Sequence, residues 1–222
     1  MTGLTGGLTA AAVLFDLDGV LVDSGGTVER SWHRWALRHG LDPTMVLARC
    51  HGRTTAATIA AVAGHLDPVT AARELEAEQA QDTTELRACP GAADLIAEIP
   101  GDRWAVVTSG TRALAVSRLR QAGLPLPAVL VTADDVRNGK PDAEGYRAAA
   151  AALGFAPARC VVVEDAHPGV VAARAAGCRV IGIAGTSLGP ETEVDVIVES
   201  LTAVAAVAVP AGLDLRTRVG VH

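Results

Sequence analysis

The spacing of apolar residues changes along the chain, and the changes mark its parts. Ala11, Ala12, Val13, Leu14 and Phe15 form a short unbroken apolar run, which predicts a buried strand of a parallel sheet. Over residues 27–39 the period turns helical, with Val28, Trp32, Trp35, Ala36 and His39 recurring at three and four and Gly40 as a stop. A short helix is predicted over 43–48 and another from a cap at Thr54 or Thr55 to residue 63. A long Ala- and Glu-rich helix follows over 68–86, and no strand is predicted between residues 24 and 88.

After Cys89-Pro90-Gly91 the rhythm alternates. Helices are predicted at 92–99, 112–122, 143–153 and 168–176, and strands at 104–108, 129–131, 160–163 and 180–183. A further strand is expected at 194–198 and a last helix at 201–209. Residues 1–9 read as frayed and 214–222 as a loose tail. Strand–helix repeats of this length predict an α/β fold, a doubly wound (Rossmann-like) parallel sheet. Residues 1–24 and 89–222 would form this core domain, and 25–88 a helical domain inserted after the first strand.

Composition narrows the picture. Aromatics are only 3%, so the apolar half of the chain is mostly Ala, Val and Leu, which suits helices packed on a sheet. The net charge of -6, with no long basic run, argues against a nucleic-acid partner. Cys50, Cys89, Cys160 and Cys178 contain no Cys-x-x-Cys pair, which fits a reduced cytoplasmic chain better than a disulfide framework. The start carries no basic segment, and no apolar stretch approaches membrane-spanning length, so no membrane partner is expected.

In a doubly wound sheet ligands collect outside the carboxyl ends of the strands. Each predicted strand end here carries a useful group. Asp16 and Asp18 follow the first strand, two residues apart, and would face one side if the strand continued. Crowded carboxylates need a compensating cation, and oxygen ligands suit magnesium. Thr108-Ser109-Gly110-Thr111 joins a strand to a helix and reads either as an anion site or as an ordinary helix cap. Lys140 precedes a proline in a turn. Glu164-Asp165 closes another strand; one carboxylate should face the site, and capping of the next helix is the competing explanation.

Phe15-Asp16-Leu17-Asp18-Gly19-Val20, Val107-Thr108-Ser109-Gly110, Gly139-Lys140-Pro141-Asp142 and Val163-Glu164-Asp165-Ala166 resemble the ordered motifs of the haloacid dehalogenase-like hydrolase superfamily, in its small-cap sugar and polyol phosphatase branch. The resemblance covers roughly residues 11–205. It implies that Asp16 is a nucleophile forming an aspartyl phosphate and that Asp18 is the acid and base. It further implies that Thr108, Ser109, Gly110 and Lys140 hold the phosphoryl group. Magnesium would lie with Asp16, Asp165 and the backbone carbonyl of Asp18, and Glu164 would assist directly or through water. The insertion becomes a mobile cap hinged near Ser24-Gly25-Gly26 and Cys89-Pro90-Gly91, with His51, Gly52 and Arg53 toward the substrate; an ion pair within the cap is the other reading of Arg53. Trp32 and Trp35 follow helical spacing and read as cap core rather than a sugar platform.

The expected partner is a small phosphorylated metabolite, and nothing in the sequence speaks to oligomeric state. A β-phosphoglucomutase-like reading is the alternative, but its cap histidine is replaced here by Val28, and His51-Gly52 stands where its cap-loop lysine would be. A non-catalytic module on the same fold is the alternative of another class, and none of the motifs is broken.

Overall fold

A computed structural model of the chain describes residues 7–50, 52–82, 84–185, 188–189 and 191–217. The elements run β1 (Gly7–Ala10), β2 (Ala12–Phe15), β3 (Val22–Asp23), α1 (Gly25–Arg38), α2 (Pro43–Cys50), α3 (Thr55–Val62), α4 (Pro68–Gln81) and β4 (Arg87–Ala88). They continue with α5 (Ala92–Glu98), β5 (Trp104–Val107), α6 (Arg112–Gln121), β6 (Val129–Val131), α7 (Glu144–Ala152), β7 (Cys160–Glu164), α8 (His167–Ala176) and β8 (Arg179–Ile183). Three short strands follow: β9 (Val196–Val198), β10 (Val204–Val209) and β11 (Gly212–Thr217).

The main sheet has six strands in the order β6-β5-β2-β7-β8-β9, and each pairing is parallel. The chain builds outward from β2 through β5 to β6, then returns to its other side for β7. That reversal leaves a crevice at the carboxyl ends of β2, β5 and β7, where open α/β sheets take their ligands. Side-chain alternation assigns the two faces. Val13 and Phe15 pack with Leu95, Trp104 and Leu119 on one side. Ala12 and Leu14 pack with Tyr146, Val170 and Ala173 on the other.

Between β3 and β4 the helices α1 to α4 form a cap with its own apolar centre, including Trp32, Trp35, Val46, Ile59 and Leu75. The two crossings between cap and core run side by side as an antiparallel ribbon, Val22 opposite Ala88 and Asp23 opposite Arg87. The short strand β4 therefore falls at the end of a block predicted to be free of strands. Helix α4 also stops at Gln81, short of the predicted residue 86. Asp82 explains the stop, since its carboxylate accepts from the backbone N–H of Thr84 at 3.1 Å and turns the chain out of the helix.

The largest departure lies at the ends of the chain. Residues 204–209 form a strand, not the predicted helix, after a short 3-10 turn at Leu201–Ala203. It turns back into β11, and β11 pairs with β1 to give a three-stranded antiparallel sheet. Thus residues 7–9 and 214–217, expected to be frayed or loose, lie in paired strands. Residues 1–6 and 218–222 lie outside the described residues. A run of alternating Ala and Val is compatible with either period, and burial on alternate positions decides it: Val204, Ala206, Leu213 and Leu215 point inward.

Candidate active site

The crevice brings the strand-end residues together. Asp16 follows β2, Thr108 follows β5, and Glu164 closes β7 with Asp165 after it. Lys140 comes from the loop between β6 and α7. Its ammonium is buried and bonds to both Asp16 and Glu164, the latter at 2.6 Å. Three residues placed far apart in the chain thus meet at one cation.

Glu164 is fully buried and its carboxylate is saturated. Oε1 accepts from Lys140 and from the Tyr146 hydroxyl at 2.8 Å, and Oε2 accepts from the backbone N–H groups of Asp165 and Ala166 at 3.0 and 3.1 Å. Its geometry is that of an anchor for Lys140 and for the turn into α8. Gly169 makes room for it, because a Cβ there would overlap the carboxylate.

Asp16, Glu164 and Asp165 each offer an oxygen within 4.8 Å of the others. Three carboxylates against one ammonium leave a surplus of two negative charges in a buried place. The titration behaviour reflects it. Burial, then the neighbouring carboxylates Glu164, Asp165 and Asp18, hold Asp16 well above the usual carboxylate range, although Lys140 opposes this. Burial and Glu164 push Asp165 up to about 7. Burial lowers Lys140, but Asp16 and Glu164 outweigh it and hold the ammonium above its ordinary value. A divalent cation with oxygen ligands fits this donor set and would relieve the repulsion. The family to which these motifs point uses such an ion, and Asp16 and Asp165 have the freer oxygens.

Asp18 is placed differently. Its Oδ1 accepts from Ser24 Oγ at 2.6 Å and its Oδ2 from Arg118 Nη1 at 2.5 Å. Its side chain is therefore held by Ser24 and Arg118 rather than by Lys140. Gly19 has φ +84, and a Cβ there would run into the Asp165 carboxylate, so the turn after Asp18 requires glycine.

Thr108 is buried and its Oγ1 accepts from the Gly110 N–H at 3.2 Å. Ser109 Oγ donates to the carbonyl of Gly52 in the cap at 3.4 Å. The cap loop sits so close to the core that a Cβ on Gly52 would stand 2.9 Å from that of Ala166, and its φ of +70 also favours glycine. Arg53 is exposed, borders the cavity and has no ion-pair partner among the described residues. Thr54, whose side chain accepts from the Ala57 N–H at 3.2 Å, starts α3 just beyond this loop. His51 lies outside the described residues.

Core and cap enclose a cavity of about 240 Å³, bordered by Asp16, Asp18, Asp165, Thr108, Arg53 and Arg118 among others. Val28 and Trp32 give it an apolar side from α1. Trp32 serves both readings of it, since it packs edge-on against Trp35 within the cap and also borders the cavity.

Sequence reasoning missed several polar residues. Glu76 of α4 is buried, accepts from Thr55 Oγ1 at 2.5 Å, and takes the Thr111 N–H at the start of α6 at 3.0 Å. Gln79 and Arg118 are also buried and bonded across the cap–core boundary at 3.0 Å. Nothing in a helical stretch rich in Glu, Gln and Arg distinguishes the members that face another domain from those that face water.

Comparison with known proteins agrees with this geometry. The haloacid dehalogenase-like hydrolase family model matches residues 10–177. Hexitol phosphatase A of Escherichia coli is 44% identical over 205 residues, covering 90% of this chain and 95% of that protein. Glycerol-1-phosphate phosphohydrolase 2 of Saccharomyces cerevisiae is 34% identical, covering 81% of this chain and 76% of its own. The crystal structure of CbbY from Rhodobacter sphaeroides in complex with phosphate superposes with a TM-score of 0.74 at 26% identity, covering 86% of this chain and 95% of that one.

Proposed function

Because this chain belongs to the haloacid dehalogenase-like hydrolase family, we propose that it is a magnesium-dependent phosphatase of small sugar or polyol phosphates working through an aspartyl phosphate. The observation that carries the reading is Lys140 joined to both Asp16 and Glu164, with Asp16 and Asp165 bordering a capped cavity.

An Asp16 oxygen attacks phosphorus; the new O–P bond forms as the ester P–O bond breaks. Asp18 gives a proton to the leaving oxygen, and an alcohol departs. Asp18 then takes a proton from water as that water attacks the acyl phosphate, which frees inorganic phosphate and regenerates Asp16. Lys140 keeps Asp16 oriented and balances phosphate charge, while Thr108 and the amides of Ser109 and Gly110 receive phosphoryl oxygens. Asp16, Asp165 and the backbone carbonyl of Asp18 would hold magnesium, with Glu164 behind them anchoring Lys140. When bound, the ion supplies charge neutralisation at the phosphoryl oxygens.

Residues 25–88 act as the cap, and its closure excludes bulk water while the phosphoryl group passes from the ester to Asp16. Arg53, with Gly52 and His51 in the same loop, meets the polar end of the substrate. Val28 supports hydrolysis over mutase chemistry, because an apolar side chain borders the cavity at the position of the mutase histidine. Four free thiols and the absence of a membrane-crossing helix among the described residues support a reducing, cytoplasmic setting.

The test is release of inorganic phosphate from a panel of small esters, with and without magnesium. Wild-type protein should release phosphate only with the metal, from an anomeric sugar phosphate as well as from polyol phosphates. Asp16→Asn should fall by at least about 1,000-fold while keeping its melting temperature. Isomer formation without phosphate release, or an active Asp16→Asn, would sink the reading.

A further inference from the structure

Arg118 lies near the end of α6 and is only 3% exposed. One arm of its guanidinium, Nη1, donates to Asp18, and the other, Nη2, donates to Oε1 of Gln79 on the cap helix α4 at 3.0 Å. The Gln79 amide donates in turn to Ser31 Oγ on α1 at 2.8 Å. Ser24, at the start of the cap, holds the other oxygen of Asp18. A continuous line of hydrogen bonds therefore leads from two cap helices, through a core arginine, to the carboxylate two residues beyond Asp16.

Stability is an incomplete account of this arginine. Its Nε is buried without a partner among the described residues, and an unmet buried donor is destabilising. An apolar side chain would spare that cost but would leave Asp18 Oδ2 and Gln79 Oε1 without this donor. What the guanidinium supplies is direction. With donors on both of its oxygens, Asp18 has one orientation, where a lone carboxylate on its short side chain would have several. One of those donors is itself steadied from the cap, so the orientation is complete only with the cap seated.

We propose that Arg118 is a positioning residue that aims the Asp18 carboxylate at the leaving-group oxygen, and that Gln79 makes this aim depend on cap closure. The proposal rests on the reading of Asp18 as the proton donor. It predicts that the proton donor is assembled at the same moment that water is excluded.

The leaving group separates a positioning role from a structural one. An alkyl ester such as glycerol phosphate needs its leaving oxygen protonated, whereas p-nitrophenyl phosphate expels a stable phenolate and does not. With magnesium present, Arg118→Met should lower kcat/KM for the alkyl ester by about 100-fold, the scale of general acid catalysis, and for the aryl ester by less than about threefold. Arg118→Lys should restore part of the loss, and Gln79→Leu should show a smaller loss with the same preference. Both esters are assayed on one preparation, so a partly folded variant lowers both rates equally and leaves their ratio unchanged. If Arg118→Met itself fails to fold, Arg118→Lys and Gln79→Leu carry the test. Equal losses on the two esters, or no loss on the alkyl ester, would overturn the proposal. Asp18→Asn is the control for its premise: a split there without one at Arg118 leaves the proton donor standing and removes the positioning role, and no split at Asp18 removes both.

Discussion

Lys140, Glu164 and Tyr146 illustrate how much a single buried carboxylate can organise. The Tyr146 ring is fully buried, and its hydroxyl shares Glu164 Oε1 with the Lys140 ammonium. Burial and the Glu164 charge hold the phenol well above its ordinary value, so it remains a donor. Tyr146→Phe removes one donor from a carboxylate that water cannot reach. The expected cost is about 1–3 kcal/mol of stability, read as a lower urea midpoint with an unchanged slope. Activity should fall less than for Asp16→Asn, because Lys140 still bridges to Asp16. An unchanged midpoint would show that the hydroxyl contributes nothing to this anchor. The sequence named Glu164 from its place after an apolar run but left its task open between site and helix cap. It bonds Lys140 with one oxygen and the amides of Asp165 and Ala166 with the other, so it holds the turn ahead of α8 without capping the helix itself.

Among the elements, the terminal sheet is the part the sequence pattern misjudged. Strand β11 is the middle strand, with β1 on one side and β10 on the other, so it ties the two chain ends together. Leu213 and Leu215 point from it into the same apolar cluster as Phe15 and Leu95. Leu215→Ala should therefore cost about 2–5 kcal/mol, as for other buried leucines, measured by denaturant unfolding. A loss below about 0.5 kcal/mol, the scale of surface changes, would mean that this sheet is only an appendage. The cap elements were more legible. The helical period of α1 and a cap for α3 at Thr54 or Thr55 were visible in one dimension, the structure choosing Thr54, whereas the early end of α4 depended on a side chain turning back on its own backbone.

At the scale of the whole molecule, the crowding of charge at the crevice sets a pH dependence. Asp165 is pushed up to about 7 in the folded protein, against about 3.9 for an unperturbed Asp in the unfolded chain. Between these values the native state holds a proton that the unfolded chain releases. Stability of the protein stripped of metal should thus fall as pH rises through that window and level off above it. Melting temperatures in chelator from about pH 5 to about pH 8, a range that brackets the titration of such a group, check this. The wild-type curve should descend relative to that of Asp165→Asn, and added magnesium should raise the wild type most at the alkaline end. Parallel curves would mean that the carboxylates do not repel one another as their placement indicates.

The sequence by itself determined the architecture of the parallel core and the groups at its strand ends. Both are local facts: an apolar run of strand length, the glycine that ends a helix, a carboxylate or hydroxyl where the run stops. Their common fate follows from the parallel topology, which delivers every strand end to one side. What only the tertiary structure decided are matters of contact between distant segments. The cap's seating on α6 through Glu76 and Gln79, the pairing of Asp18 with Arg118, and the meeting of residues 7–10 with residues 212–217 in one sheet belong here. A polar residue on a helix, or an alternating Ala–Val run, has no preferred partner until another element arrives to remove its water. Burial then makes an unmet polar group costly, and that cost selects the partner.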